Sequence, residues 1–214
     1  MERKGTTHMS ETIAKANLRW RVVDIVVASI IAVASGVIFA GWDLIYKIPT
    51  TALDAVLPGF NGLVCAFWLF AGPLAAIIVR KPGAAIYAEL IAACIEYIIG
   101  AGGVFGISGS IIIGLVQGVF AEIIFIVVRY RVWNPLTATL SGLLSGFGNY
   151  LFEFSPFGSR VGIGFFSTYG LSYLVTTLIS GAVIAGLLMW FVQRAIAATG
   201  VLDRFESGRA KALV

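Results

Sequence analysis

Three carboxylates stand inside long apolar stretches of this sequence, where an ionisable side chain is costly unless it faces a cavity or a polar partner. Glu89 and Glu96 share one stretch and one helical face, and Glu122 lies in the next. Glu89 and Glu96 are therefore candidates for binding a polar ligand. The alternative is that each carboxyl only forms hydrogen bonds between helices, and this alternative is stronger for Glu122, which water and Arg129 would satisfy.

Polar and aromatic side chains from other stretches fall at the depth of Glu96 if consecutive spans alternate in direction. Aromatic rings attract cations and stack on heterocycles, a carboxylate neutralises positive charge, and an amide fixes orientation. Together they predict a pocket for a flat, polar, cationic ligand. An aromatic belt at the membrane surface is the alternative for Trp42 and Tyr169. The predicted binding residues are Glu96, Glu89, Asn149, Trp68, Trp42, Gln117, Tyr97, Glu153, Tyr169 and Tyr173, with Asn61 and Tyr150 nearby.

The composition indicates that membrane-spanning helices position these residues. The 214-residue chain is 59% hydrophobic and only 12% charged, with a mean hydropathy of +0.95, whereas soluble domains carry about 25% charged residues. Each apolar stretch is near the ~20 residues that cross a bilayer. The fold class predicted is all-α integral membrane, a bundle of six transmembrane helices, with five as the rival count. The stretches are residues 22–42, 57–79, 84–101, 109–128, 135–152 and 169–194.

Basic residues between the stretches predict the orientation, because short loops rich in Lys and Arg stay in the cytoplasm. With six spans all of these clusters fall on one side, and both termini are cytoplasmic. The pI of about 9.2 therefore reflects topology and does not indicate nucleic-acid binding. Predicted units are a flexible N-terminal tail (1–16), a membrane domain (17–200) and a cytoplasmic C-terminal tail (201–214). The basic residues are Lys15, Arg19, Arg21, Arg80, Lys81, Arg129, Arg131, Arg194, Arg204, Arg209 and Lys211.

Catalytic and metal-dependent functions find no support in the sequence. The only histidine is His8, so the segment Gly106-Ile-Ser-Gly109 cannot supply a Ser–His dyad. One histidine with Cys65 and Cys94 makes no zinc or haem ligand set, and no phosphate-binding loop of the Gly-x-x-x-x-Gly-Lys-Ser/Thr type occurs. We therefore expect no enzymatic activity, no cofactor and no metal site, so any ATP hydrolysis belongs to another subunit.

A stripe of small residues runs along the first apolar stretch, with Ala28, Ala32 and Gly36 at every fourth position. Small residues at this spacing allow another helix to approach closely. The partner helix belongs either to the same bundle or to another protein.

Several of these segments resemble the YkoE family, which comprises substrate-binding S components of energy-coupling factor (ECF) transporters. The resemblance runs from about residue 17 to 200, and Arg-Lys-Pro-Gly-Ala-Ala followed by Tyr and Glu is its most specific part. The matching segments are Leu18-Arg-Trp-Arg-Val-Val-Asp24 with the Ala28, Ala32, Gly36 stripe, Arg80-Lys-Pro-Gly-Ala-Ala-Ile-Tyr-Ala-Glu-Leu90, and Gly114-Leu-Val-Gln-Gly118 with Glu122.

The resemblance implies a six-helix vitamin-capture protein in the bacterial plasma (inner) membrane. Its ligand would be thiamin or the hydroxymethylpyrimidine precursor (HMP), bound near the outer face. Its partners would be a transmembrane coupling subunit, met by the Ala28 and Ala32 stripe, and two cytoplasmic ATPases. Two alternatives remain open: an autonomous proton-coupled transporter that uses Glu89 or Glu96 as its proton site, and a scaffold without a small ligand.

Overall fold

The computed structural model describes residues 18–100 and 106–209, and the part of the chain that it describes is helical, without a β-strand. The predicted N-terminal tail lies outside the described residues. The elements are α1 (Val22–Asp43), α2 (Lys47–Val56), a 3-10 helix (Phe60–Trp68), α3 (Ala71–Val79), α4 (Ala84–Ile99), α5 (Gly106–Val127), α6 (Pro135–Glu153), α7 (Thr168–Ser180), a π-helical segment (Gly181–Leu188), α8 (Met189–Ala198) and α9 (Glu206–Arg209).

The all-helical prediction is confirmed for the described residues, and the number of spans follows less directly. Helix α1, helix α5 and the continuous helix Thr168–Ala198 are long and apolar enough to cross a membrane. A fourth candidate is the 3-10 helix with α3, a pair that bends by 45° within the span predicted over 57–79. Helix α4 has only 16 residues, and α6 is rich in glycine and serine. Length and composition therefore identify three candidate spans, or four with the bent pair.

Helix α3 forms the centre of the bundle, and all nine of its residues are buried. Around it, α4 packs between α1 and α5, while α6 packs between α5 and the last long helix. Large aliphatic residues on the outer faces of α1 and α5 are exposed, as expected for surfaces that contact lipid. The functional residues are thus carried on helices that are fixed against one central element.

One end of the bundle gathers the segments before α1, between α3 and α4, and after α8. The Trp20 indole donates to the carbonyl of Pro82 (2.9 Å), and the Ser207 hydroxyl donates to the carbonyl of Ile78 (2.8 Å). Phe205 is only 3% exposed. The sequence assigns Phe205 and Ser207 to a C-terminal tail, but both pack against the bundle because they cover the end of α3.

The small-residue stripe of α1 lies inside the bundle. Ala28 and Ala32 are 0% exposed, and a Cβ at Gly36 would lie 2.6 Å from the carbonyl oxygen of Ala92 in α4. The stripe permits the close approach of α1 and α4, which is the packing alternative left open by the sequence. Residues 28, 32 and 36 are therefore covered by their own chain, which corrects the expectation that they form an accessible docking surface.

Glu122 on α5 stabilises the start of α4. Its carboxylate accepts hydrogen bonds from the backbone N–H groups of Gly83 (2.8 Å) and Ala85 (2.8 Å) and from the hydroxyl of Tyr130 (2.7 Å). A carboxylate at a helix N-terminus satisfies unpaired donors and complements the helix dipole. Burial and this bond to Glu122 raise the pKa of Tyr130, which keeps the phenol a donor. The role of Glu122 is therefore structural. Its side-chain partner is Tyr130, whereas the sequence predicted water and Arg129.

The crossing of α6 with the π-helical segment depends on Gly142. A Cβ at this position would lie 2.2 Å from the carbonyl oxygen of Gly181, so Gly142→Ala must push the two helices apart. We expect the variant to lose about 1–3 kcal/mol or more of unfolding free energy, measured by thermal unfolding in detergent. Gly41→Ala is the matched control, because nothing lies within 4 Å of its Cβ. Equal stability of the two variants would contradict the crossing.

Candidate functional site

A cavity of about 290 Å³ opens at the end of the bundle opposite the basic turns. This volume is at the lower limit of the ~300–1,000 Å³ typical of small-molecule sites. Seven of the ten predicted binding residues line it: Trp68, Glu96, Tyr97, Gln117, Asn149, Glu153 and Tyr173. The structure therefore brings together most of the side chains that the sequence placed at one depth.

The first wall of the cavity is acidic and aromatic. Asp43 ends α1 and Glu96 lies in the last turn of the neighbouring helix α4, so both carboxyl groups line this wall. The Trp68 indole N–H donates to Oδ1 of Asp43 (3.1 Å). The Tyr46 ring meets the Trp68 ring edge-on, with centroids 5.3 Å apart. This wall offers negative charge beside an aromatic face, which suits a cationic heterocycle.

Amides form the floor of the cavity. The Gln117 side chain donates to Oδ1 of Asn149 (2.9 Å), and Nδ2 of Asn149 donates to the Tyr173 hydroxyl (3.3 Å) and, more weakly, to the Cys65 sulfur (3.7 Å). The Cys65 sulfur and the Tyr173 hydroxyl are also hydrogen-bonded, at 2.8 Å. These residues come from α5, α6, α7 and the 3-10 helix. A polar network joining four elements fixes amide groups with little freedom to rotate.

The opposite wall carries an ion pair. Arg160, from the loop after α6, contacts the Glu153 carboxylate at 2.5 Å and lies 4.1 Å above the centre of the Tyr173 ring. Its Nε donates to the Tyr169 hydroxyl (3.2 Å), and Ser159 also donates to Glu153. Burial acts to lower the pKa of Arg160, but Tyr173 and Glu153 outweigh burial and raise it. The guanidinium therefore stays charged and compensates Glu153.

Three predicted binding residues do not line the cavity. Glu89 is fully buried and accepts a hydrogen bond from the backbone N–H of Gly72 (2.5 Å). Trp42 stacks on Phe67 with centroids 4.4 Å apart and supports Trp68 from behind. Tyr169 lies behind Tyr173, almost parallel to it at 6.2 Å. Trp42 and Tyr169 therefore contact residues that line the cavity, whereas Glu89 is bonded to α3.

Sequence reasoning missed Asp43 and Arg160 as cavity residues. Neither was among the predicted binding residues, although Asp43 lies on the helix that carries Trp42 and Arg160 lies in the loop after the helix that carries Glu153. Asp43 is the last residue of α1 and comes directly after Trp42. Arg160 is seven residues beyond Glu153, and opposite charges at that spacing around a Gly-containing turn were the available signal. The cavity also includes Phe39, Tyr46, Thr50, Asn61, Cys65, Ala93, Ser110, Ile113 and Ser159.

Comparison with known proteins gives matches that cover most of the chain. Residues 23–148 match the family described as "ABC-type cobalt transport system, permease component". A curated relative, the "Putative HMP/thiamine permease protein YkoE" of Bacillus subtilis (strain 168), is 32% identical over 197 residues, covering 89% of this chain and 91% of its own length. The chain belongs to the YkoE family.

Structural comparison agrees with this assignment. A crystal structure of an S component of an ECF transporter is 30% identical and matches with a TM-score of 0.72, over 91% of this chain and 94% of its own. Members of the YkoE family and ECF S components are multi-pass membrane proteins and not enzymes, so the predicted family, the membrane location and the non-enzymatic character are confirmed. Roles of individual cavity residues remain predictions that rest on the geometry above.

Proposed function

We propose that this protein captures thiamin or HMP in the 290 Å³ cavity and delivers it to an ATP-driven ECF importer. The observation that carries the proposal is the combination, in one cavity, of a carboxyl pair, a fixed amide pair and aromatic rings. The B. subtilis relative described as an HMP/thiamine permease supports this ligand class. The likeness to an ECF S component supports the mode of delivery.

The chemistry of the walls matches the parts of these ligands. Asn149 and Gln117 offer amide donors and acceptors for the ring nitrogens and exocyclic amine of an aminopyrimidine. Trp68 and Tyr46 offer aromatic faces for stacking, and Asp43 with Glu96 offers negative charge to the thiazolium of thiamin. Neutral HMP would use the same groups except for the charge contact. One set of donors and rings would therefore serve either ligand.

In the membrane, the proposal requires six spans with both termini in the cytoplasm. Trp20, Pro82 and Ser207 gather at the basic end, while Asp43, Glu96 and Glu153 lie at the cavity end. The chain alternates between these ends, so α4 and α6 would be the remaining two spans, although α4 is short and α6 is only weakly apolar. The positive-inside rule then places the basic end in the cytoplasm and the cavity at the outer face.

Ligand titration followed by intrinsic fluorescence tests the capture role. Of five tryptophans, Trp68 lines the cavity and Trp42 stacks beside it. We expect saturable quenching by thiamin or HMP in detergent. Trp68→Phe should remove most of the response, and Trp20→Phe, at the opposite end, should keep it. No saturable change and no heat of binding with either compound, in protein whose helical content is intact, would refute the capture role.

Reconstitution separates ATP-driven uptake from the proton-coupled alternative. We expect vesicles containing this protein alone to bind labelled thiamin without accumulating it. Accumulation should require the coupling subunit, both ATPases and internal ATP. Uptake by this protein alone that follows an imposed proton gradient would instead establish a secondary transporter.

A further inference from the structure

Helix α2 runs across the cavity end of the bundle, between the ends of two long helices. It begins at Lys47, just after α1 ends at Asp43. Beyond it the chain reaches Gly59, where a Cβ would lie 2.6 Å from the carbonyl oxygen of Tyr169, at the start of α7. Helix α1 and the continuous helix that begins with α7 are both long and apolar enough to cross a membrane. A helix that joins the ends of two such spans runs along the membrane surface.

The two faces of α2 differ in chemistry. Residues three and four positions apart share a face of a helix. One face is polar, and its residues are Lys47, Thr50, Thr51 and Asp54. Thr50 lines the cavity, and the Asp54 carboxylate accepts from the backbone N–H groups of Gly59 (3.0 Å) and Asn61 (3.3 Å). The other face is apolar, and its residues are Ile48, Pro49, Ala52, Leu53, Ala55 and Val56. Helix α2 is therefore amphipathic.

Much of the apolar face of α2 is open. All ten residues of α2 are at least partly exposed, and Ile48 and Val56 are 77% and 75% exposed. The two residues that join α1 to α2, Leu44 and Ile45, are exposed aliphatic side chains as well. Through them the exposed apolar surface continues from the outer face of α1, which contacts lipid, onto α2. This continuity indicates that lipid also covers the apolar face of α2.

We propose that α2 is an interfacial helix, with its apolar face inserted among the lipids at the cavity end and its polar face turned to water and the cavity. A helix of this kind buries its apolar face by about 5–10 Å at the boundary between headgroups and acyl chains. Tyr46, directly before α2, and Thr50 line the cavity, so the membrane surface supports this part of its wall. The inference concerns membrane contact and holds whichever ligand the cavity binds.

Spin labels on two adjacent residues of α2 test this position in lipid nanodiscs. Thr51 and Ala52 are both exposed, but they lie on the polar and the apolar face. The native cysteines are first replaced, as Cys65→Ser and Cys94→Ala. For Ala52→Cys we expect a label depth of about 5–10 Å below the headgroups. Its ratio of collisions with oxygen to collisions with a water-soluble nickel chelate should be several times that of Thr51→Cys. Ile38→Cys, on the exposed face of α1, is the lipid reference.

The two collision reagents also identify the other possible surroundings of α2. Equal access of the nickel chelate to the labels at Thr51→Cys and Ala52→Cys would place both faces in water and overturn the proposal. A label at Ala52→Cys that neither reagent reaches would indicate a protein contact, such as a second copy of this chain, and would overturn it too. Thiamin takes no part in the measurement, so its outcome is separate from that of the capture role.

Photolabelling of the unmodified protein keeps the test decisive if a cysteine variant does not fold. The nanodiscs then contain a phospholipid with a diazirine group at the top of its acyl chain. We expect mass spectrometry to find the lipid attached within residues 44–57 as well as on the outer face of α1. Labelling of α1 with none within residues 44–57 would overturn the proposal.

Discussion

Replacing Trp68 with alanine is expected to weaken thiamin binding by about 30-fold or more, because a desolvated cation–π contact is worth about 2 kcal/mol. The substitution removes an aromatic face of the cavity and also the N–H donor to Asp43, 3.1 Å away. Trp68→Phe retains a ring but not the donor, so a smaller loss of about fivefold is expected, the value of one hydrogen bond. Calorimetry with thiamin measures both.

The control for Trp68 lies at the other end of the bundle. Trp20 is also partly buried and also donates through its indole, to the carbonyl of Pro82. Trp20→Ala should therefore perturb packing without changing thiamin affinity. If Trp68→Ala binds thiamin as tightly as the wild type, the ligand does not contact the acidic wall, and the proposed position of the cation is wrong.

The depth of the binding residues could be predicted from sequence because helical periodicity and alternating spans restrict where a side chain can lie. Glu96, Gln117 and Asn149 were placed at one level on this ground, and the structure brings all three to the cavity. Periodicity does not give the rotation of one helix relative to another. Glu89 was predicted on the same face as Glu96, yet its carboxylate accepts from the backbone N–H of Gly72 in α3.

The positions at which a helix breaks could not be predicted from the apolar pattern. Residues 57–79 form one apolar stretch in sequence, but Gly59 adopts a left-handed conformation (φ 93°), and a Cβ there would lie 2.6 Å from the carbonyl oxygen of Tyr169. This close approach brings the start of the 3-10 helix against α7. The chain then bends by 45° before α3. Long-range contacts of this kind leave no periodic signal, which is also why Asp43 and Arg160 were not assigned to the site.

Asn149 is expected to be the most sensitive polar residue of the cavity. Its side chain joins Gln117, Tyr173 and Cys65, so Asn149→Leu leaves buried polar groups without partners. Each unsatisfied buried group costs about 1–3 kcal/mol. We expect affinity for both thiamin and HMP to fall by about 30-fold or more, since the amide serves the pyrimidine that both ligands share. Calorimetry gives the affinities, and thermal unfolding gives the accompanying loss of stability.

A second asparagine separates lost recognition from lost stability. Asn134 caps the start of α6, accepting from the backbone N–H of Thr137 at 2.9 Å, at the end of the helix remote from Asn149. Asn134→Ala should lower stability by about 1 kcal/mol through the missing cap while leaving both affinities unchanged. If Asn134→Ala weakens binding as much as Asn149→Leu, the effect at Asn149 is one of general stability. Loss of thiamin binding alone in Asn149→Leu would place the amide beside the thiazolium, which thiamin carries in place of the HMP hydroxyl.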